Sequence, residues 1–335
     1  MSAPVAEETT ELDPQKSRPK GNAAQISGKS PLRIAFGRLM RDKVAVVCMV
    51  VVVLFVLLAI FEGLLQKAFG VTAETQFPTQ FLNLNGVPKA EFGPPYGTFV
   101  WSHPFGIAPT TAVDNLAYWL EGARNSLEIA TLSTIVATVL GIVVGLLAGF
   151  MGGIVDRVLS FFTDFFLTLP FLLVALTIAP IVNERFRDGD HYEAAQVVLL
   201  VMVLSFFGWM GLARLIRGEV LSLREREFVH AARVMGMPTR RILVKELLPN
   251  IVAPIVVSTS LMLPAFVAAE SGLAYLGVGI RTRPSWGQML DDATGFFKEY
   301  PLYLYEPLLA IVVLVLALNL LGDAVRDALD PKTRR

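Results

Sequence analysis

Few side chains in this 335-residue sequence are placed to do chemistry, and the two most conspicuous lie in or beside long apolar runs. Asp164 interrupts VLSFFTDFFLTLPFLLVALTIAPIV, and Glu270 follows IVAPIVVSTSLMLPAFVAA. An ionisable group in hydrocarbon is costly and is kept where it faces a water-filled path or a polar partner. Asp164 and Glu270 are therefore candidates for lining a translocation path. The structural alternatives are a helix-to-helix hydrogen bond for Asp164 and capping of the following turn for Glu270, which is expected within reach of water. Metal chemistry has little support, since His103, His191 and His230 fall in three separate loops without HExxH spacing. Each is read as a solvated or packing residue. Gly28-Lys29-Ser30 matches the end of a phosphate-binding loop, G-x-x-x-x-G-K-[ST], yet Ala23 stands where the first glycine belongs and no strand pattern precedes it. No G-x-S-x-G elbow occurs, and the single cysteine, Cys48, excludes an internal disulfide. The expectation is a chain that is not an enzyme and holds no metal or cofactor of its own.

The elements that position these residues are membrane spans. Hydrophobic residues make up 54% of the chain and charged residues 17%, against about 45–50% and 25% in soluble domains. A net charge of zero supplies no field to hold nucleic acid. Six runs approach the roughly 20 apolar residues that cross a bilayer: 44–61, 129–151, 158–182, 194–213, 251–269 and 307–321. Tyr300, Tyr303 and Tyr305 before the last suggest an interfacial aromatic belt that extends it. With the N-terminus inside, 21 of the 29 Lys and Arg residues fall in inside segments and 8 in outside ones, as the positive-inside rule requires. The expected fold class is an all-α membrane protein of six transmembrane helices with both termini cytoplasmic. Its parts would be a basic, disordered cytoplasmic segment (1–43), a first transmembrane helix (44–62), an extracytoplasmic loop (63–124), a transmembrane core (125–325) and a cytoplasmic tail (326–335). The first run follows more than forty polar residues and lacks an Ala-x-Ala site, so it is read as an uncleaved span. Gly141, Gly145 and Gly149 make one smooth face for close helix packing.

The most informative stretch is the cytoplasmic loop 214–250, RLIRGEVLSLREREFVHAARVMGMPTRRILVKELLPN. Phe228, Ala231, Ala232 and Met235 share one face of a helix at i, i+3, i+4 and i+7. Two of the four are alanine, which permits close approach by another surface, whereas a helix floating at a lipid interface favours Trp, Leu or Phe. Gly236 is expected to end this helix, Pro238 to open a second short one, and Pro249 to end that. A bland alternative is a basic loop resting on anionic lipid.

The order Glu227-Phe228-Val229-His230-Ala231-Ala232, then Gly236, then Leu248-Pro249-Asn250 resembles the EAA loop of ABC-importer permeases, in the form found in the dipeptide and oligopeptide branch. The resemblance covers about residues 101–335. It includes Ser102-His103-Pro104-Phe105-Gly106, Gly122-Ala123-Arg124-Asn125-Ser126-Leu127, the stretch 146–153 with Asp156, Glu270 to Gly279 with Pro284-Ser285-Trp286-Gly287, and Asn319 to Asp323 with Arg326 to Pro331. Departures are His230 at the general motif's glutamate, with Glu227 as the acid, Glu246 where this branch often has histidine, and IAPTTAVDNLAYWLE between Gly106 and Gly122. The outer loop is also long. The resemblance implies a C-type permease subunit with the type I ABC importer permease fold, forming half of a translocation path for peptides. It implies as partners a second, homologous permease, two ATPase domains that carry ATP and Mg, and an extracytoplasmic solute-binding protein, all at the cell membrane. The ten loop residues just quoted would dock the ATPases. The rival class is an ion-coupled secondary transporter using Asp164 and Glu270. Such carriers often show internal repeats, and none is convincing here.

Overall fold

The computed structural model describes residues 31–74, 78–89, 100–187, 189 and 191–330. Thirteen α-helices follow one another among them: α1 (Pro31–Leu39), α2 (Lys43–Ile60), α3 (Glu62–Phe69), α4 (Pro78–Phe81), α5 (Asn115–Met151), α6 (Gly153–Leu167), α7 (Phe171–Phe186), α8 (Tyr192–Leu223), α9 (Glu227–Val234), α10 (Thr239–Arg241), α11 (Val252–Leu273), α12 (Trp286–Thr294) and α13 (Pro301–Leu329). Isolated bridges are the only β-pairing described. The Gly28-Lys29-Ser30 match and the expected disorder up to Ser30 lie outside the described residues. Residues 31–39, placed in the same unstructured segment by composition, form α1, which packs against α13.

Among the described residues five helices are long and apolar enough to cross a membrane, and a bent pair makes a sixth if counted as one span. That pair corrects the expected third span: α6 and α7 meet at 84°. The cause is local, because Pro170 has no N–H to continue the ladder and its ring disfavours helical backbone at Leu169. Other boundaries moved outward. The second span begins at Asn115 inside the expected outer loop, α8 continues ten residues beyond Ala213, and α13 runs to Leu329 through most of the described tail.

Two aspartates set helix starts. Asp42 Oδ1 accepts from the Val44 and Ala45 amides, at 2.8 and 3.3 Å, and opens α2. Asp114 Oδ1 does the same for Leu116 and Ala117 at the head of α5, while its Oδ2 holds His103 Nδ1 at 2.5 Å. Such caps satisfy amides that a helix's first turn leaves unpaired.

The bundle is built around the α5–α8 seam, where the glycine stripe meets its partner. A Cβ on Gly145 would fall 2.7 Å from the Ala213 carbonyl oxygen and Ile216 Cβ, and one on Gly149 would fall 2.8 Å from Val220 Cβ. At one end of the bundle α12 folds back over α5 and α11. Trp286, fully buried, packs on Phe55 and Trp119 with ring centroids 5.7 and 5.6 Å away, and its Nε1 donates to the Trp119 carbonyl. Asn125 Nδ2 donates to the Pro284 carbonyl at 2.7 Å, and Gly287 sits so close to the Ser271 carbonyl that any Cβ would collide with it. At the opposite end α9 rests on a second apolar cluster of Leu212, Ile216, Val220, Ile242, Leu247 and Ile251.

Candidate functional site

The segment after α8 is shaped by its own backbone requirements. Arg224, the cap of α8, donates to the Gly149 carbonyl at the end of α5, so the chain leaves both helices from one anchored point. Glu227 lies in the first turn of α9, where its charge suits the exposed amides. The helix ends in a full Schellman turn. The Met237 amide donates to the Ala232 carbonyl and the Gly236 amide to the Arg233 carbonyl, at 3.0 and 2.9 Å. Gly236 has φ +71°, which glycine adopts without steric cost.

Burial divides α9 differently from the expected face. Val229 is buried and Ala232 is 2% exposed, both packed on the second cluster with Met237 beside them. Phe228, Ala231 and Met235 point away from the bundle, joined by Val234. Val234 is 89% exposed and Met235 73%, an apolar tip that none of the described residues covers. The helix carries apolar residues on both sides, so spacing alone did not separate the anchor from the free face. His230 is half exposed, 3.8 Å from Glu225, and Arg233 lies over the Phe150 ring at 4.9 Å, pinning α9 to the end of α5.

The second helix also differs from expectation. Pro238 is the cap residue before α10, and nothing stops at Pro249. A π-helical turn (Ile242–Leu247) and a 3-10 turn (Leu248–Ile251) carry the chain directly into α11. Pro249 sits in the first turn of the 3-10 segment, where a missing amide costs no bond. Asn250 Nδ2 donates to the Glu246 carbonyl across the change of helix type, and Leu247 and Ile242 are buried while Leu248 is only partly so. From α10 to α11 the chain is thus helical throughout, with changes of helix type and no loop between them.

Asp164 lies in a cleft of about 380 Å³ between α5, α6 and α8, lined by Gly145, Ser160, Thr163, Arg214 and Arg217 among others. Arg214 Nε and Nη2 both donate to Asp164 Oδ1, at 3.0 and 2.6 Å. Two turns nearer the start of α6, Arg217 grips both oxygens of Asp156 at 2.5 and 2.9 Å, with Ser160 Oγ also donating to Asp156. Arg214 and Arg217 read from the sequence as cytoplasmic loop charges, and their partners lie 50 and 61 residues away in the chain. The signal available was the i, i+3 spacing of the arginines. Thr163 is the one buried residue described on α6; Phe166 packs on Phe206 of α8 with ring centroids 4.8 Å apart, and the Arg217–Asp156 pair joins the same two helices.

Glu270 is elsewhere. It is fully buried at 0% exposure, where water was expected, because α12 and the segment before it close over the end of α11. Its Oε2 accepts from Ser271 Oγ at 3.3 Å, and Oε1 has no hydrogen-bond partner among the described residues. Asp164 and Glu270 are thus in separate environments and form no joint site. Among the described residues no group of three His, Cys, Asp or Glu side chains gathers as metal ligands.

Comparison with known proteins adds the family context. Residues 141–335 match the family described as binding-protein-dependent transport system inner membrane component, and residues 30–84 match the N-terminal TM domain of oligopeptide transport permease C. The chain is 33% identical over 92% of its length to the dipeptide transport system permease protein DppC of Alkalihalophilus pseudofirmus, covering 93% of that protein. It is 30% identical to the oligopeptide transport system permease protein OppC of Escherichia coli K12, over 92% of this chain and 94% of that one. The OppC protein of Mycobacterium tuberculosis H37Rv matches at 33% over 66% of this chain and 73% of its own.

Proposed function

Because this chain belongs to the family of binding-protein-dependent transport system inner membrane components, we propose that it is the pore-forming permease subunit of an ATP-driven ABC importer for peptides. The relatives named for dipeptide and oligopeptide transport support the substrate class. The chain would sit in the cell membrane with both termini cytoplasmic, the orientation its Lys and Arg distribution favours. ATP and Mg belong to two ATPase domains on other chains, a solute-binding protein delivers the peptide from outside, and a second, related permease completes the path.

The observation that carries the coupling role is the apolar tip of α9. Phe228, Ala231, Val234 and Met235 face outward while Val229 and Ala232 fix the same helix to the core beneath α8 and α11. An uncovered apolar patch on a rigidly seated helix marks a protein-interaction site. Glu227, His230 and Gly236 frame this patch, and Leu248, Pro249 and Asn250 carry its displacement into α11. Asp164 lines the path. Glu270 is enclosed at the end of α11 beside Ser271, and its burial favours a packing role.

The direct test is purification of the tagged chain from its native membrane in mild detergent, with partners identified by mass spectrometry. Stoichiometric recovery of an ATPase and a second permease is expected. Recovery of the chain alone, under conditions that keep a known ABC complex whole, would move the assignment to an ion-coupled carrier. Glu270→Gln keeps the side chain's shape and one acceptor oxygen for Ser271, and a neutral acceptor in place of a charged one costs about 1 kcal/mol. Uptake per inserted molecule is expected to stay near the wild-type level. A collapse of uptake at normal abundance would return Glu270 to the path.

A further inference from the structure

We infer that the cleft between α5, α6 and α8 is a binding site for the charged termini of the transported peptide, with Arg214 receiving the terminal carboxylate and Asp164 the terminal ammonium. This deepens the peptide-importer reading and rests on it. The first ground is placement. Asp164 is 63% exposed and Arg214 54%, although both belong to helices of the membrane bundle. Ionisable groups on such helices are kept where they face water or a polar partner rather than lipid.

The second ground is the contrast between the two ion pairs. Arg217 and Asp156 form a two-point fork, partly buried and supported by Ser160. Arg214 spends both donors on a single oxygen of Asp164, and both partners are more open. One pair is a strut, and the other can exchange its partner for a ligand at small cost, since exposed ion pairs are worth about 0–1 kcal/mol. A guanidinium then offers the planar fork that matches a carboxylate.

The third ground is charge balance. Both arginines of the cleft are already paired, Arg214 with Asp164 and Arg217 with Asp156 just outside the lining, so neither sign of charge is left in excess by these pairs. The cleft suits a ligand that is neutral overall and dipolar, as every free peptide with uncharged side chains is. Because peptides differ in their side chains and share their termini, a site reading only the termini accepts many sequences. Ser160 and Thr163 add polar wall, Gly145 and Ala148 leave room against α5, and about 380 Å³ lies within the range of about 300–1,000 Å³ usual for small-molecule sites.

The test uses the whole complex in membrane vesicles and compares uptake of dialanine, dialanine amide and N-acetyl-dialanine by wild type, Arg214→Gln and Asp164→Asn. The solute-binding protein discriminates among the three equally in each case, so ratios to wild type report the permease. Arg214→Gln is expected to lower dialanine uptake about tenfold or more, the worth of a hydrogen bond to a charged group, with the residual uptake of the amide unchanged. Asp164→Asn is expected to spare N-acetyl-dialanine in the same way. Equal losses for free and blocked peptides would make the pair a second strut and overturn the assignment. Where Arg214→Gln fails to assemble, Arg214→Lys keeps the charge without the fork and carries the same comparison. Failure of the wild-type complex to take up any of the three would instead count against the peptide-importer reading itself.

Discussion

Val234→Glu with Met235→Glu is expected to leave the chain inserted at wild-type abundance while removing the ATPase from the purified complex and abolishing uptake. Both side chains stand clear of the protein, so the substitutions cost the chain's own fold little. Two carboxylates at the centre of an apolar contact must be desolvated on docking without partners, at several kcal/mol if the contact is to form at all. A few kcal/mol already weakens binding by a hundredfold or more. The readouts are the ATPase recovered per tagged chain and uptake per inserted molecule. Full recovery of the ATPase with normal uptake would place the coupling surface elsewhere. Ala232→Glu is a poorer probe than its position in the motif suggests. Ala232 is the inward anchor, so a carboxylate there disturbs the seat of α9 before any partner is reached. Gly236→Pro likewise breaks the turn itself, since proline neither adopts φ +71° nor supplies the amide that bonds Arg233.

Gly145→Val should have the largest effect on stability. The new Cβ would stand 2.7 Å from both the Ala213 carbonyl and Ile216 Cβ, and neither can retreat, since one is helix backbone and the other is a branch point fixed to it. Overpacking a tight contact costs about 1–3 kcal/mol and occasionally more; here two long helices must part along their main seam, which places the cost at the upper end or beyond. The chain's abundance in the membrane should fall several-fold or more, as losses of this size do in cells. Gly211→Val, at a position where an added Cβ meets nothing within 4 Å, is the matched control. Equal abundance of the two variants would mean that α5 and α8 do not pack at this distance.

How far each feature was legible follows from how local its cause is. The spans, the turn at Gly236 and the existence of a close-packing glycine face were all readable, because each depends on hydropathy, on one residue's backbone freedom, or on a spacing of four within one helix. The break between α6 and α7 was readable in principle from Pro170 and was hidden by the unbroken apolar run around it. The Glu270 environment was not, because the residues that bury it come from α5 and from the fold-back of α12.

Sequence by itself determined a membrane-spanning helical chain and its family resemblance, since hydropathy and motif order are properties of neighbouring residues. Tertiary structure alone decided which side of α9 is free, that Gly145 and Gly149 meet α8, and that Asp164 and Asp156 are held by arginines that read from the sequence as loop charges. An eight-residue helix with apolar residues on both sides has no preferred inward face until the cluster beneath it is assembled. An aspartate likewise has no assigned partner until helices far apart in the chain are brought together, because a charge pair is specified by distance in space and leaves no pattern along the chain.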